Sequence, residues 1–123
     1  MADIIKATIK DATSSVSTWS AGAAEFTVPL GGGSDHRATL LVNNTDTEVI
    51  IRVNVEAGDG ERSVLGNLDV DVAISSIAAI PLTDSMRFKV ASTDKVTVNL
   101  NDTADTTLTA GVLANVKTIL IQG

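Results

Sequence analysis

The chain has 123 residues, no cysteine, and 15 Asp and Glu against 9 Lys and Arg, which gives a formal net charge of -6 at pH 7. A chain of this length suits one domain, the missing cysteines exclude disulfides and thiolate metal sites, and the acidic balance makes nucleic acid a poor partner. Aromatic residues are only 2% of the chain, so we expect a core of Ala, Val, Ile and Leu.

The first 33 residues combine a candidate strand with a polar arm. Residues 4–10 predict a first strand, and residues 11–24, which are rich in Ser, Thr and Ala, predict an extended arm or a long loop. We expect this arm to pack on the domain or on a partner. The predicted partner contacts are large apolar residues of this stretch, Ile4, Ile5, Trp19 and Phe26. The alternative for Trp19 is that it fills one end of the chain's own core.

A short strand is predicted at 26–28, and it ends where Pro29 and the glycines 31–33 interrupt the ladder. After them, apolar and polar residues alternate, which is typical of a strand with one dry face. The clearest example is 68–74, where Leu, Val, Val and Ile alternate with Asp, Asp and Ala. The other strands predicted from this alternation are 38–43, 49–55, 80–82, 86–90, 96–100 and 112–121.

Some of these strands carry more specific expectations. Strands 38–43 and 49–55, joined by a turn at 44–46, predict a hairpin. Pro81 places 80–82 at a sheet edge or at a strand start, because proline cannot donate to a central ladder. The run 112–121 becomes apolar on both faces, as in a central strand or one covered by a neighbouring subunit. Cross-strand ion pairs with Asp69 or Asp71 are expected for three outward-facing cations, Arg52, Arg87 and Lys89.

Together the elements predict an all-β chain. No stretch of helical length has an i, i+3, i+4 apolar stripe with caps. About seven to nine short strands favour a single-domain two-sheet β-sandwich with an extended N-terminal arm. The jelly roll is a candidate topology for this sandwich. Residues 1–33 are assigned to the N-terminal strand and arm, and residues 34–123 to the sandwich.

The residues that carry chemistry are few and scattered. The one histidine, His36, follows Ser34 and Asp35, but sequence neighbours rarely reach the geometry of a catalytic triad, so we interpret it as a solvated loop residue. One His without Cys makes zinc improbable. Carboxylates at three turns suit calcium ligands, yet no calcium-loop pattern is present, and turns carrying Asp46, Asp59 and Asp102 are expected to face solvent or partners. We predict no enzyme, no cofactor and no metal site.

Membrane insertion and export are not indicated either. The longest uncharged apolar stretch, 72–82, is too short to cross a bilayer. At the N-terminus, Asp3 and Lys6 stand where a secretory signal needs an uninterrupted apolar run. We therefore expect no membrane partner.

The order of several elements is similar to that of a known family. These elements are Arg37 to Asn44, the β-run to Val55, 68–74, the Ile80-Pro81-Leu82 step, Arg87-Phe88 and the closing valine-rich strands. From Arg37 to Ile121 the chain resembles small virion structural proteins of tailed bacteriophages, of the capsid decoration, cement or head-fibre type. Met1 to Gly33 lie outside the resemblance.

The resemblance implies a β-rich module without catalytic activity that binds the outer surface of an assembled capsid in many copies. Its partners would be the major capsid protein and itself, with a trimer favoured, and it would be made in the host cytoplasm and located on the virion. The alternatives are another phage component, such as a tail-tube, tail-tip or fibre subunit, and a carbohydrate-binding adhesion module. The latter predicts an aromatic platform that the sequence lacks.

Overall fold

The computed structural model describes residues 3–4, 6–8, 19–30 and 37–122. Within these residues nine strands dominate, joined by loops that contain two single-turn helices and a 3₁₀ turn, Ser63–Leu65. The strands are β1 (Lys6–Thr8), β2 (Ser20–Ala21), β3 (Glu25–Pro29), β4 (Ala38–Asn44), β5 (Ile51–Val55), β6 (Leu68–Val72), β7 (Ser76–Pro81), β8 (Lys95–Asn101) and β9 (Val116–Gln122). The helices are α1 (Ser85–Phe88) and α2 (Ala110–Leu113).

The strands form two sheets. One has the order β1-β9-β4-β7, with β2 also pairing with β9, and the other has the order β3-β8-β5-β6. All neighbours are antiparallel except β1, which lies parallel to β9. If the strands are renumbered so that β2 is strand 1 and β9 is strand 8, one sheet has the order 1-8-3-6 and the other has the order 2-7-4-5. This is the strand order of a jelly roll. The all-β two-sheet sandwich is thus confirmed.

The core lies between the sheets and is aliphatic. Alternate residues of each long strand point inward, as the burial of every second residue in β4, β5 and β8 shows. Leu40, Val53 and Leu100 are completely buried, and Phe26 and Phe88 are the aromatic contributions to this cluster. Each fully buried Val or Leu contributes roughly 1.5–3 kcal/mol, so burial of these aliphatic side chains is a main attraction between the two sheets.

Two predicted strand positions are confirmed by the sheet order. β7 forms an edge of its sheet, as Pro81 predicted, but it spans Ser76–Pro81 and ends at the proline instead of covering 80–82. β9 is central, since β4 pairs with one side and β1 and β2 pair with the other. Its loss of alternation follows from this position. The strand predicted at 68–74 ends earlier, at Val72, because Ser75 adopts a left-handed conformation (φ 52°) in the turn to β7.

The predicted hairpin of 38–43 with 49–55 is wrong. β4 and β5 belong to different sheets, so the connection between them crosses one end of the sandwich. The side-chain amide of Asn44 donates to the carbonyl oxygens of Val49 and Val72, at 3.0 and 3.2 Å, and thereby fixes this crossing. Two alternating strands around a polar turn predict pairing only when both strands lie in the same sheet.

The strand predicted at 86–90 is also wrong, because this segment contains α1. The amide N–H groups of Arg87 and Phe88 donate to the carbonyl oxygen of Asp84, and that of Lys89 donates to Ser85. Phe88 is buried, whereas Met86 is exposed. Over five residues, a period of two also places the first and last residues on one helical face, so the alternation could not separate a strand from a single helical turn.

The N-terminal stretch contributes strands to both sheets. Residues 3–4 lie along β3, where the Ile4 N–H donates to the Thr27 carbonyl oxygen at 3.1 Å. The chain then crosses to the other sheet, and β1 pairs with 120–122 of β9. Three strands thus fall within 1–33, whereas residues 9–18, most of the predicted arm, lie outside the described residues.

Candidate interaction surfaces

The outer face of the β3-β8-β5-β6 sheet, here called the polar face, is covered by side chains that bond to one another. The Arg52 guanidinium binds both Asp71 oxygens, at 2.9 and 3.2 Å, and also contacts Asp105 at 3.3 Å. Asn54 donates to Asp69 at 2.7 Å. The polar face consists of Glu25, Thr27, Pro29, Arg52, Asn54, Asp69, Asp71, Lys95, Thr97, Asn99 and Asn101.

These ion pairs shift the titration of the groups involved. The hydrogen bonds from Arg52 hold the pKa of Asp71 below its ordinary value, and Asp71 followed by Asp105 raise the pKa of Arg52. At the other edge of the polar face, the Lys95 ammonium lies 2.8 Å from Asp3 and, with the hydroxyl of Thr27, lowers the pKa of Asp3. The polar face therefore neutralises much of its own charge and offers few unpaired groups to a partner.

The predicted cross-strand ion pairs are confirmed for Arg52 and wrong for the other two cations. Arg87 donates instead to the carbonyl oxygens of Gly66 and Asn67, and Lys89 lies 3.5 Å from Asp94. Both cations belong to the loop that contains α1, at one end of the sandwich, and so lie away from the strand positions of Asp69 and Asp71.

The outer face of the β1-β9-β4-β7 sheet, here called the apolar face, has the opposite character. Its register sets Ala79, Leu41 and Ile119 side by side across β7, β4 and β9. Ile119 is only 2% exposed, whereas Ile77 on the edge strand is 61% exposed. The described side chains of the apolar face are Thr39, Leu41, Asn43, Ile77, Ala79, Pro81, Lys117, Ile119 and Ile121. Its β7 side therefore leaves apolar surface in contact with water.

One end of the sandwich carries acidic loops and is called the acidic end. It is formed by 45–50, 73–75 and 102–115, which contain four carboxylates and no Lys, Arg or His. The turn at 45–48 is exposed at Thr45, Thr47 and Glu48, whereas Asp46 itself is buried. Its carboxylate accepts hydrogen bonds from Asn115 and from the N–H groups of Glu48 and Val49 at 2.8 to 3.0 Å, which lowers its pKa.

The opposite end is called the Arg87 end, and two of its loops, 56–67 and 82–94, are joined by backbone hydrogen bonds. The Gly58 N–H donates to the Arg87 carbonyl oxygen at 2.8 Å, and the Arg62 N–H donates to that of Met86 at 3.0 Å. A Cβ at Gly58 would lie 2.2 Å from the Lys89 carbonyl oxygen, so the close approach of the loops requires glycine there. The Arg87 guanidinium also lies over the Phe88 ring, 4.7 Å from its centroid.

The residues predicted to contact a partner lie in different environments. Ile4 and Phe26 are 6% and 2% exposed and belong to the chain's own core, so they offer little side-chain surface. Trp19 is half-buried and precedes the pair of Ser20 with Thr118, which sets it at the β9 edge near Ile119. Ile5 lies outside the described residues, as do Ser34, Asp35 and His36. The assignment of these residues to a partner contact stays a prediction.

The described part of the chain shows no group of three or more His, Asp or Glu side chains arranged to hold a metal ion. Within 3–4, 6–8, 19–30 and 37–122, no helix has the length and apolar character needed to cross a membrane. The surfaces described above are therefore the features on which a functional assignment can be based.

Sequence reasoning missed the exposed apolar residues at the Arg87 end and on β7. Val64 is 87% exposed and Leu65 53%, on a 3₁₀ turn, and they form an apolar pair between polar neighbours and Gly66. That pair, in a segment too short and irregular for a strand, was the available signal. Comparisons with family models, with curated proteins and with solved structures found no match to this chain.

Proposed function

We propose that this protein is a virion structural protein that binds the outer surface of an assembled bacteriophage capsid in many copies. The observation that carries the proposal is the contrast between the two sheet faces. The polar face pairs much of its own charge, whereas the apolar face leaves Ile77 61% exposed on an edge strand. A one-sided apolar surface is what a module needs to attach flat to a lattice while its other face meets water.

The resemblance of Arg37 to Ile121 to small capsid decoration proteins supplies the partner, the major capsid protein. Attachment through the β7 side of the apolar face would cover Ile77, Ala79 and Pro81. A contact of this size is weak for one copy, but a capsid repeats the site many times, and any contact between bound copies raises the effective affinity. Acidic, cysteine-free composition suits production in the host cytoplasm before assembly.

The test mixes the purified chain with undecorated capsids of the phage that encodes it and measures bound copies by electron microscopy and by co-sedimentation. Three chains are compared: wild type, Ile77→Lys on the apolar face, and Thr97→Lys on the polar face. The two variants add the same charge to outward positions of opposite faces. Wild type and Thr97→Lys are expected to produce stoichiometric surface density, and Ile77→Lys to bind about tenfold more weakly.

Capsids that remain bare with wild type would overturn the proposed function. Equal binding by all three chains would retain decoration and remove the apolar face as its attachment surface. A deletion of residues 1–24 would not test the arm alone, because Ile4 is buried in the core and β1 and β2 pair with β9. For this reason Trp19→Ala is the better test of the predicted N-terminal contact.

A further inference from the structure

The edge of the β1-β9-β4-β7 sheet at β7 carries backbone groups that the described part of the chain leaves unpaired. The Leu82 N–H donates to the Ala38 carbonyl oxygen at 2.9 Å, which continues the register of β7 on β4. Bonded pairs in an antiparallel ladder recur at every second residue, so the even-numbered residues of β7 bond to β4. The N–H and C=O groups of Ile77 and Ala79 therefore point away from β4, to an edge on which no described strand lies.

The other edges formed by described strands are protected against pairing with a further strand. β6 carries two exposed carboxylates, Asp69 and Asp71, and β3 is covered by residues 3–4. β1 and β2 are only three and two residues long. β7 has six residues and no charge, and its one protective residue, Pro81, stands at the strand end. Since charges, covering segments and short strands prevent edge pairing, β7 is the edge that remains open to it.

This open edge is complementary to itself about a two-fold axis through Ala78. In the antiparallel register that the axis defines, Ile77 lies opposite Ala79 of a second copy, and Ala79 lies opposite Ile77 of that copy. Both residues have their N–H and C=O groups on the open side, so each such pair exchanges two hydrogen bonds. Every outward N–H of β7 then has an acceptor, and every outward C=O of these two residues has a donor.

The two ends of β7 stop the ladder at the same place. Pro81 falls opposite Ser75 of the second copy in this register. Proline has no N–H, and the Ser75 N–H already donates to the Asp46 carbonyl oxygen at 3.1 Å. Pairing therefore stops where neither strand has a free donor to offer, and the open edge of one copy matches the open edge of another along its whole length.

The side chains of β7 fit the same register. On the outer face the large Ile77 lies beside the small Ala79 of the second copy, and on the inner face the two Ala78 methyl groups meet, so no two bulky groups collide. No side chain of β7 is charged, so the two paired strands bring no like charges together. A second copy thus supplies an uncharged strand that matches this edge in hydrogen bonds, length and side-chain size.

We infer that two copies of this chain pair through β7, antiparallel about a two-fold axis at Ala78, so that their β1-β9-β4-β7 sheets become one continuous sheet. The contact is isologous and closes at two copies, in place of the trimer that the resemblance implies. It uses groups in the plane of the sheet and leaves Ile77 and Ala79 on the apolar face, which doubles in width. The contact is short, so the dimer is weak in solution. The inference does not depend on capsid attachment.

Sedimentation velocity of the full chain tests the inference, over roughly 1 µM to 1 mM because weak contacts have dissociation constants in that range. The average mass of wild type is expected to rise with concentration from the 12.7 kDa of one chain and to level off at that of two chains. Ala79→Pro removes an N–H that points to the open edge and takes no part in the β4 ladder. Proline is tolerated at such a position of an edge strand, so the variant is expected to fold as wild type does by circular dichroism.

The two-fold axis makes Ala79→Pro lose two hydrogen bonds per dimer, and it is therefore expected to weaken association about tenfold or more. Ala79→Ser is the matched control, because it changes the same side chain but keeps the N–H. It is expected to associate as wild type does. Equal association of the proline and serine variants would overturn pairing through the β7 edge.

Single cysteines test the register, since the chain has none of its own. Residues 78 of the two copies form a non-hydrogen-bonded pair with Cα atoms about 4.5 Å apart, within the range of a disulfide. Residues 77 of the two copies lie on a diagonal of roughly 7–8 Å, which a disulfide does not span. Under mild oxidation Ala78→Cys is therefore expected to form covalent dimers about tenfold faster than Ile77→Cys. Faster cross-linking of Ile77→Cys would overturn the two-fold register at Ala78.

Wild type that stays at 12.7 kDa over the whole range would overturn the inference, and so would a mass that rises past two chains, because an isologous contact closes at two. A monomeric wild type that binds capsids better than Ala79→Pro does would overturn it too, and would assign the β7 edge to a strand of the capsid protein. Wild type that dimerises but leaves capsids bare would overturn the proposed function and retain the dimer.

Discussion

The two sheets enclose one core between them, but their outer faces differ in what they expose to water. On the polar face, Arg52 and Asp71 bond to each other across neighbouring strands. On the apolar face, the row of Ala79, Leu41 and Ile119 passes from an exposed edge strand to a residue that is 2% exposed. The difference teaches that the polar face pairs much of its charge within the chain, whereas the apolar face is buried at Ile119 on β9 and exposed at Ile77 on β7.

The largest expected effect separates the two sides of the apolar face. Ile119→Ala removes a buried side chain and is expected to lower the free energy of unfolding by about 3 kcal/mol, through lost burial and the cavity left behind. Ile77→Ala makes the same chemical change at an exposed position and is expected to cost less than about 0.5 kcal/mol. Urea unfolding measures both. Equal losses of unfolding free energy in the two variants would show that the apolar face is buried equally at β9 and β7, which would contradict the difference described above.

A smaller change in stability, of opposite sign, is expected for a variant on the inward side of β9. The Thr118 hydroxyl is buried and has no hydrogen-bond partner in the described part of the chain, so Thr118→Val should stabilise by about 1 kcal/mol. Thr27→Val is the matched control, since its hydroxyl donates to Asp3 on the polar face, and it should destabilise. Thermal unfolding of both variants gives the signs, and destabilisation by Thr118→Val would contradict the reasoning.

The smallest effect concerns the exposed ion pair of the polar face. Because Arg52 lowers the folded-state pKa of Asp71, the folded chain binds fewer protons there than the unfolded chain near pH 4. The pair therefore contributes stability above that pH and loses it as the pH falls through the lowered pKa. Asp71→Asn is expected to be slightly less stable than wild type at pH 7, with the gap closing at pH 3 and in 1 M NaCl.

Urea unfolding at both pH values tests this, with Ile77→Ala as the control, since no charge is altered at that position. A gap between Asp71→Asn and wild type that does not change with pH or salt would mean that the ion pair contributes through packing alone. The polar face would then contribute to stability by packing, as the apolar face does, and its charges would add nothing measurable.

The sequence predicted the sandwich because alternation marks inward and outward residues strand by strand, as in 68–72. It could not predict which strands pair, since β4 pairs with β9 across more than seventy intervening residues and no local signal encodes that register. The helical turn within 86–90 could not be predicted, because five residues are too few to separate a period of two from the helical period. The helical and 3₁₀ turns at the Arg87 end depend on hydrogen bonds to the opposite loop, which only the fold brings into place.

Part of the candidate surface was nevertheless encoded in the sequence. Strands in which apolar and polar residues alternate strictly, such as those containing 52–54 and 69–71, belong to the sheet that carries the polar face. Strands that lose alternation, such as 40–42, 77–80 and 119–121, all belong to the other sheet. Loss of alternation therefore sorts these strands by sheet.

The parallel pairing of residues 6–8 with 120–122 bears on when this fold can be completed. The chain is synthesised from its N-terminus. Residues 6–8 therefore cannot complete their pairing with β9 until Gln122 has been made. β9 is also the centre of its sheet, and β4 lacks that neighbour until the same moment. Most of one sheet thus forms after translation has passed residue 122, and contacts of such long sequence separation favour slow folding.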